Sequence, residues 1–201
     1  SRVCILSGTK KFLLKLIPDY IKQNACFDSG SLQKFIDEYK SDGALINSFT
    51  LFTPVFTQHS RSSIKIQDGC NNNCSFCRIH LARGKSVSLG PEEILERVRI
   101  LEKSNFSEVV FTGVNLSQYA GKKSDGKIYS FGDLMDFLLA NTERIKFRVS
   151  SFYPQHITKE LCEIIQDERV QPSFHLSIQS GSDRILKLMN RPYSVREVYD
   201  A

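Results

Sequence analysis

No stretch of the chain approaches the roughly 20 consecutive apolar residues that a membrane helix needs, and Ser1-Arg2-Val3-Cys4 does not open a signal peptide. These two absences make a cytoplasmic globular protein the expectation. Internal repeats and low-complexity tracts are missing as well, so the fold has to come from ordinary alternation of elements. A dense basic stripe is also lacking: 27 Lys and Arg stand against 22 Asp and Glu, for a net charge of +5. That excess permits an RNA partner without requiring one, and the pairs Lys10-Lys11 and Lys122-Lys123 read as solvated surface.

What is present is enough apolar material, 41% of 201 residues, for one substantial core and part of a second unit. Six cysteines are distributed unevenly: three fall within eight residues and the others stand apart at Cys4, Cys26 and Cys162. Such clustering points to a reducing compartment and a metal site rather than a disulfide framework. Each scattered cysteine reads as a small buried apolar residue.

The opening Val3-Cys4-Ile5-Leu6-Ser7-Gly8 reads as a strand, and Lys11 to Ile17 as a helix that Pro18 ends. A helix over Ser31 to Tyr39 is followed by a polar run with Pro54, read as linker. After Ser62 strands and helices alternate. The strands are Ile64 to Ile66, Val109 to Phe111, Lys146 to Ser150 and Ser173 to Ile178. The helices open at Pro91-Glu92-Glu93 and cover Phe131 to Leu139, Thr158 to Gln166 and Asp183 to Met189. Proline and acids suit the first turn of a helix, and Thr158 is a fitting cap although Leu161, not an acid, follows three residues later. His175 reads as a core histidine.

Four strand–helix units in succession demand parallel strands with right-handed crossovers. The fold class is therefore α/β, an open sheet or part of a (β/α) barrel. Ligands collect at the carboxyl ends of such strands, which singles out the loops starting at Asp68, Thr112, Ser151 and Gln179.

The first of these loops holds Cys70-Asn71-Asn72-Asn73-Cys74-Ser75-Phe76-Cys77. Soft thiolates select zinc, copper(I) or iron-sulfur clusters. A structural zinc site has four ligands, and His80 would have to be the fourth. The C-x3-C-x2-C spacing differs from the paired C-x2-C knuckles of zinc ribbons, and a 4Fe-4S cluster on three cysteines leaves one iron open to a substrate. An electron carrier without substrate chemistry is the remaining alternative.

This motif, with an aromatic residue before the third cysteine, resembles the signature of the radical SAM superfamily. The wider blocks Ile66-Gln67-Asp68-Gly69-Cys70, Ala82-Arg83-Gly84, Phe111-Thr112-Gly113-Val114-Asn115 and Leu176-Ser177-Ile178-Gln179-Ser180-Gly181-Ser182-Asp183 resemble its methylthiotransferase family. Gln67 to Cys70 and Thr112 to Asn115 look most like the branch that methylthiolates threonylcarbamoyl-adenosine beside the tRNA anticodon. Sister branches act on isopentenyl-adenosine in tRNA or on an aspartate of a ribosomal protein.

The resemblance implies a partial (β/α) barrel and cleavage of S-adenosylmethionine to a deoxyadenosyl radical. It also implies a 4Fe-4S cluster on Cys70, Cys74 and Cys77, with Phe76 near the adenine of the cofactor. Thr112, Gly113 and Asn115 would hold its methionine end, and Ser150, Ser151, Gln179, Ser180 and Gly181 would line the cleft. Arg191 matches a further block, Met189 to Tyr193. The implied partners are tRNA and an electron donor such as flavodoxin or ferredoxin.

Family members carry an N-terminal domain with a second 4Fe-4S cluster, and Cys4 and Cys26 do not fit its motifs. The expected division is therefore a remnant of that domain over 1–23, a linker over 24–61 and a radical SAM core over 62–201. The core is expected to be incomplete at its C-terminus, and methylthiolation by these residues alone is not expected.

Overall fold

Apolar residues at alternate positions of three short segments build the centre of the molecule. The computed structural model describes residues 10–23, 30–32, 34–35, 49, 52 and 61–201. Strands β1 (Ser62–Lys65), β4 (Glu108–Thr112) and β7 (Lys146–Val149) form a parallel sheet in the order β1-β4-β7. Ile64 pairs with Phe111, and Val109 with Phe147. Ile64, Val109, Phe111 and Phe147 are almost fully buried, and the rings of Phe111 and Phe147 stack at 5.5 Å. Parallel strands need covered faces.

Between β1 and β4 lie β2 (Gln67–Asp68), α2 (Ile79–Arg83), β3 (Val87–Ser88) and α3 (Pro91–Lys103). Helix α3 begins with Pro91 at its first position, has Glu92 and Glu93 in the first turn and Lys103 in the last. That arrangement complements the helix dipole. Ile94, Leu95, Val98 and Leu101 form its buried stripe at helical spacing.

A hairpin of β5 (Gly121–Lys122) and β6 (Ile128–Tyr129) precedes α4 (Phe131–Asn141). Ser130 and Asp133 form a reciprocal capping box at the start of α4. The chain continues through β7, β8 (Ser151–Phe152), α5 (Lys159–Ile164), β9 (His175–Leu176), α6 (Asp183–Leu188) and α7 (Val195–Asp200). Thr158 caps α5 by accepting from Leu161 N, as the sequence indicates.

The α/β class with a parallel sheet holds, and no closed barrel forms among the described residues. Several details differ from the sequence reading. Helix α1 (Lys10–Gln23) runs through Pro18 rather than ending there. A proline inside a helix removes one hydrogen bond and need only bend it. The strand expected over Ser173 to Ile178 shrinks to His175–Leu176, which pairs with β8. Val170 already lies beside Phe147, so the chain meets β7 ahead of the expected strand and pairs with β8 only at His175 and Leu176.

His175 is exposed, not a core residue, because the second residue of this two-residue strand is the more covered one. Cys162 is only partly buried. The strand over Val3 to Gly8, Cys4 and Cys26 lie outside the described residues, as does most of the 24–61 segment.

Candidate metal centre

The cysteine loop does not follow β1 directly. It follows β2, whose Gln67 and Asp68 pair antiparallel with Ser88 and Val87 of β3. Gly69 makes the turn with a φ of +72°, and a Cβ there would stand 2.0 Å from the Lys85 carbonyl oxygen. Only glycine fits both conditions. Cys70 N then donates to Gly84 O at 3.1 Å, and the buried Asp68 carboxylate accepts from Gly69 N at 2.8 Å. Lys65 and Arg83 pair with the same carboxylate at 3.0 and 3.2 Å.

Cys70 and Cys74 are buried and Cys77 is partly exposed. Each of the three sulfurs accepts one N–H at 3.4 Å: Asn72 N to Cys70, Arg191 Nη1 to Cys74 and Ile79 N to Cys77. Burial pushes the Cys70 thiol up, and the charges of Cys74 and Cys77 add to this. The Asn72 N–H and Arg191 oppose it. A thiol in that setting becomes a stable thiolate when a cation binds it. N–H donors at sulfur stabilise the thiolates that ligate iron-sulfur clusters, so the residues present fit a cluster held by three thiolates.

Zinc on a Cys3His set is the alternative. Among the described residues no three His, Cys, Asp or Glu side chains, the three cysteines included, are grouped for a single metal ion, and His80 Nδ1, buried without a partner, lines the same cavity as Cys70. This cavity of ≈ 510 Å³ lies beside the loop, lined by Cys70, Asn71, Asn72, Asn73, His80 and Lys85. A smaller apolar cavity of ≈ 200 Å³, walled by Phe131, Phe152, Leu161, Phe174 and Leu176 among others, contains none of the candidate residues.

Thr112 ends β4 and Ser150 follows β7 in the three-stranded sheet, whereas Ser151 lies in, and Gln179 follows, the separate β8–β9 pair. Gln67, fully buried, ties the cysteine loop to the loop after β4. Its Nε2 donates to Gly69 O and Ser86 Oγ, both at 2.8 Å. Its Oε1 accepts from Val114 N at 2.8 Å and Asn115 N at 2.9 Å. Gly113 is tight against it: an added Cβ would meet Leu116 Cδ2 at 2.7 Å and Gln67 Oε1 at 2.9 Å. This glycine is explained by packing alone. Thr112 Oγ1 donates to Ile64 O at 3.4 Å.

Asn115 Oδ1 caps a short 3-10 turn by accepting from Ser117 N, while its Nδ2 is buried and unpartnered; Ser150 Oγ shares that condition. Such orphans are uncommon in native interiors and are ready to meet a polar ligand. Ser151 lies in β8 beside His175. Gln179 is exposed with a φ of +68°, and Ser180 Oγ accepts from Ser182 N at 3.2 Å. Gly181 has open space where a Cβ would be. Ser182 makes no side-chain cap bond to α6. Phe76 is 54% exposed, so it is not a core residue, and Arg191 covers it at 5.7 Å.

Two residues gain importance beyond what the spacing of the motif conveys. Gln67 belongs to the cysteine block, but its bonding is visible only in three dimensions. Arg191 follows the left-handed Asn190, with a φ of +53°, and the segment around it clasps the cysteine loop. Ser75 N donates to Met189 O at 3.1 Å, Ser75 Oγ to Leu188 O at 2.9 Å, and Asn190 Nδ2 to Asn73 O at 2.7 Å.

Comparison with known proteins agrees with this geometry. Residues 64–201 match the model of the radical SAM superfamily. The chain is 47% identical over 161 residues to the threonylcarbamoyladenosine tRNA methylthiotransferase MtaB of Treponema pallidum (strain Nichols), covering 80% of this chain and 32% of that protein. It is 34% identical over 180 residues to the protein of that name from Bacillus subtilis (strain 168), covering 84% and 39%.

A tRNA-2-methylthio-N(6)-dimethylallyladenosine synthase of Buchnera aphidicola subsp. Schizaphis graminum (strain Sg) is 37% identical over 139 residues, covering 68% and 31%. The chain thus spans about a third of the length of these curated relatives. In fold it resembles the radical S-adenosylmethionine methyltransferase TsrM of Kitasatospora setae, with a TM-score of 0.55 and 11% identity over 70% of this chain and 27% of that one. By its cysteine loop, its parallel sheet and the superfamily match over 64–201, this chain belongs to the radical SAM superfamily.

Proposed function

We propose that residues 62–201 are the catalytic core of a methylthiotransferase that adds a methylthio group to threonylcarbamoyl-adenosine next to the tRNA anticodon. The observation that carries the chemistry is the N–H donor at each of the three sulfurs. The substrate branch rests on the 47% identity to a relative bearing that name. Cys70, Cys74 and Cys77 would hold a 4Fe-4S cluster, which would supply the electron for reductive cleavage of S-adenosylmethionine.

The chain's own residues bind and orient. The exposed ring of Phe76 offers a face for adenine to stack on. Asn115 Nδ2 and Ser150 Oγ, unpartnered as they stand, supply hydrogen bonds to the cofactor from two strand ends, and Thr112 and Gly113 form the wall between them. Ser151, Gln179, Ser180 and Gly181 close the far side of the cleft. Gln67 keeps the cysteine loop and the Gly113 to Asn115 loop in register through its bonds to Gly69 O, Val114 N and Asn115 N. tRNA is the substrate partner, and a flavodoxin or ferredoxin the electron donor.

The test is mass analysis of tRNA nucleosides from cells lacking the gene, complemented with the full-length protein or its Cys74→Ala variant. The proposal expects methylthiolation of threonylcarbamoyl-adenosine to vanish and to return only with the wild type. If that modification persists and methylthiolation of isopentenyl-adenosine is lost instead, the branch shared with the Buchnera relative replaces it.

A further inference from the structure

Arg191 is half-buried beside the cysteine loop, and its surroundings lack the partner such a residue normally has. A buried or half-buried guanidinium is usually matched by a carboxylate. Among the described residues no ion pair involves Arg191. Its Nη1 donates to Cys74 Sγ at 3.4 Å and to the Tyr153 hydroxyl. Its Nη2 reaches Ser177 O at 3.4 Å, and its Nε is buried without a partner.

Aromatic rings enclose the guanidinium: Tyr153 at 4.7 Å, Tyr193 at 5.6 Å and Phe76 at 5.7 Å from its central carbon. A phenol titrates near pH 10, so both tyrosines are neutral and offer only ring faces and dipoles. The group in contact that can carry a full negative charge is the Cys74 sulfur.

The position is also fixed. Arg191 N donates to Leu186 O at 2.9 Å, closing the end of α6. The three bonds from the Leu188 to Asn190 segment to the cysteine loop hold both partners of the N–H···S contact. Tyr193 anchors the far side, its hydroxyl donating to Ser177 O, and its ring meets that of Tyr153 edge-on at 5.8 Å. A cation half-buried between rings is screened less than one free in solvent.

We propose that Arg191 is a positioning and tuning residue. Its fixed positive charge, set against Cys74 by an N–H···S bond, raises the reduction potential of the cluster and so eases the first electron transfer. This inference rests on the proposed assignment of a cluster to Cys70, Cys74 and Cys77. The physical reason is that a thiolate-bound cluster becomes more negative when reduced, so a nearby cation stabilises the reduced form more than the oxidised one. Hydrogen bonds to sulfur and local charge are established levers on such potentials. The step is a one-electron reduction in which the electron comes from the external donor protein, or from dithionite in the assay, and no proton moves to Arg191.

The test is a redox titration monitored by electron paramagnetic resonance on the full-length protein, reconstituted anaerobically and without S-adenosylmethionine, with the signal and iron that remain in the Cys74→Ala variant subtracted and iron per chain measured in parallel. For Arg191→Gln the account expects wild-type iron content and a roughly tenfold lower reduced-to-oxidised ratio at fixed potential, which is about 59 mV for one electron. For Arg191→Lys, which keeps the charge, it expects a ratio within about threefold of wild type.

An unchanged ratio in Arg191→Gln overturns the proposal and leaves a residue that merely packs between rings. If Arg191→Gln loses iron, Arg191→Lys decides: a tenfold fall there shows that the charge is not the agent. A wild-type protein with no iron-sulfur signal beyond that of Cys74→Ala fails the proposed function itself, an outcome distinct from either.

Discussion

Replacing Gln67 by leucine removes the tie between the two loops without changing side-chain size much. The wild-type amide accepts from Val114 N and Asn115 N and donates to Gly69 O and Ser86 Oγ. Leucine leaves two N–H groups and two carbonyls, Gly69 O and the more distant Asp68 O at 3.2 Å, without these partners, and each orphaned buried group costs about 1–3 kcal/mol. Val114 is only partly buried, and Ser86 Oγ keeps its contact with Gln118 O at 3.3 Å, so the lower part of that range applies and the total is about 3 kcal/mol.

For a core of this size the loss lowers Tm by about 6–12 °C. Denaturant unfolding of the full-length protein reads this, with iron content after reconstitution as a second measure, because the cysteine loop loses its alignment. Gln67→Glu retains the two acceptor bonds but sets a carboxylate against Gly69 O, so it falls at least as far. A Gln67→Leu protein within about 0.5 kcal/mol of wild type, the range of an ordinary surface change, would refute the reasoning.

Gly113→Ala should destabilise by about 1–3 kcal/mol through overpacking against Leu116 and Gln67, measured by the same unfolding assay. His80→Ala should keep wild-type iron content, as the site draws on three thiolates; loss of iron would favour a four-ligand site, and metal analysis tells them apart. Glu102 Oε1 accepts from the backbone N–H of Glu143, Arg144 and Ile145 at 3.2, 2.7 and 3.0 Å just ahead of β7. Burial raises its carboxyl, but these bonds and the nearby Arg144 outweigh that and hold it below the ordinary range.

The Glu102 contribution is therefore complete above the unfolded-state value of about 4.3 and fades as pH falls through the lower folded value. Glu102→Gln should cost about 1 kcal/mol at pH 7, with the gap to wild type closing below about pH 4 when unfolding is followed against pH. A gap that persists undiminished into acid would show that the charge is not what matters.

Local signals in the chain translate directly into structure where the physics is local. Pro91-Glu92-Glu93 opens α3 because a proline needs no N–H partner in a first turn and acids favour that end of the dipole. Thr158 caps α5 on the same logic. The cysteine loop sits at the carboxyl edge of the sheet because parallel topology allows little else.

Long-range features are less legible. The expected fourth strand keeps only His175–Leu176, although the apolar pattern of 173–178 reads as continuous. Helix α1 tolerates Pro18. Arg191 meets Cys74 across 117 positions of sequence, and Gln67 meets Asn115 across 48. No spacing rule reports such contacts, since they depend on how separate strand ends converge. Gly113 illustrates the ambiguity of a motif glycine, because contact with Gln67 accounts for it without any ligand.

The central claim is that Cys70, Cys74 and Cys77 hold a 4Fe-4S cluster with one iron open to S-adenosylmethionine. Electron paramagnetic resonance of the anaerobically reconstituted, dithionite-reduced protein, recorded with and without S-adenosylmethionine, tests it most directly. The account predicts a 4Fe-4S signal that changes when the cofactor is added and is absent from the Cys74→Ala variant once any other cluster of the full-length protein is subtracted. A protein that takes up zinc and gives no such signal, or a signal indifferent to S-adenosylmethionine, would contradict it.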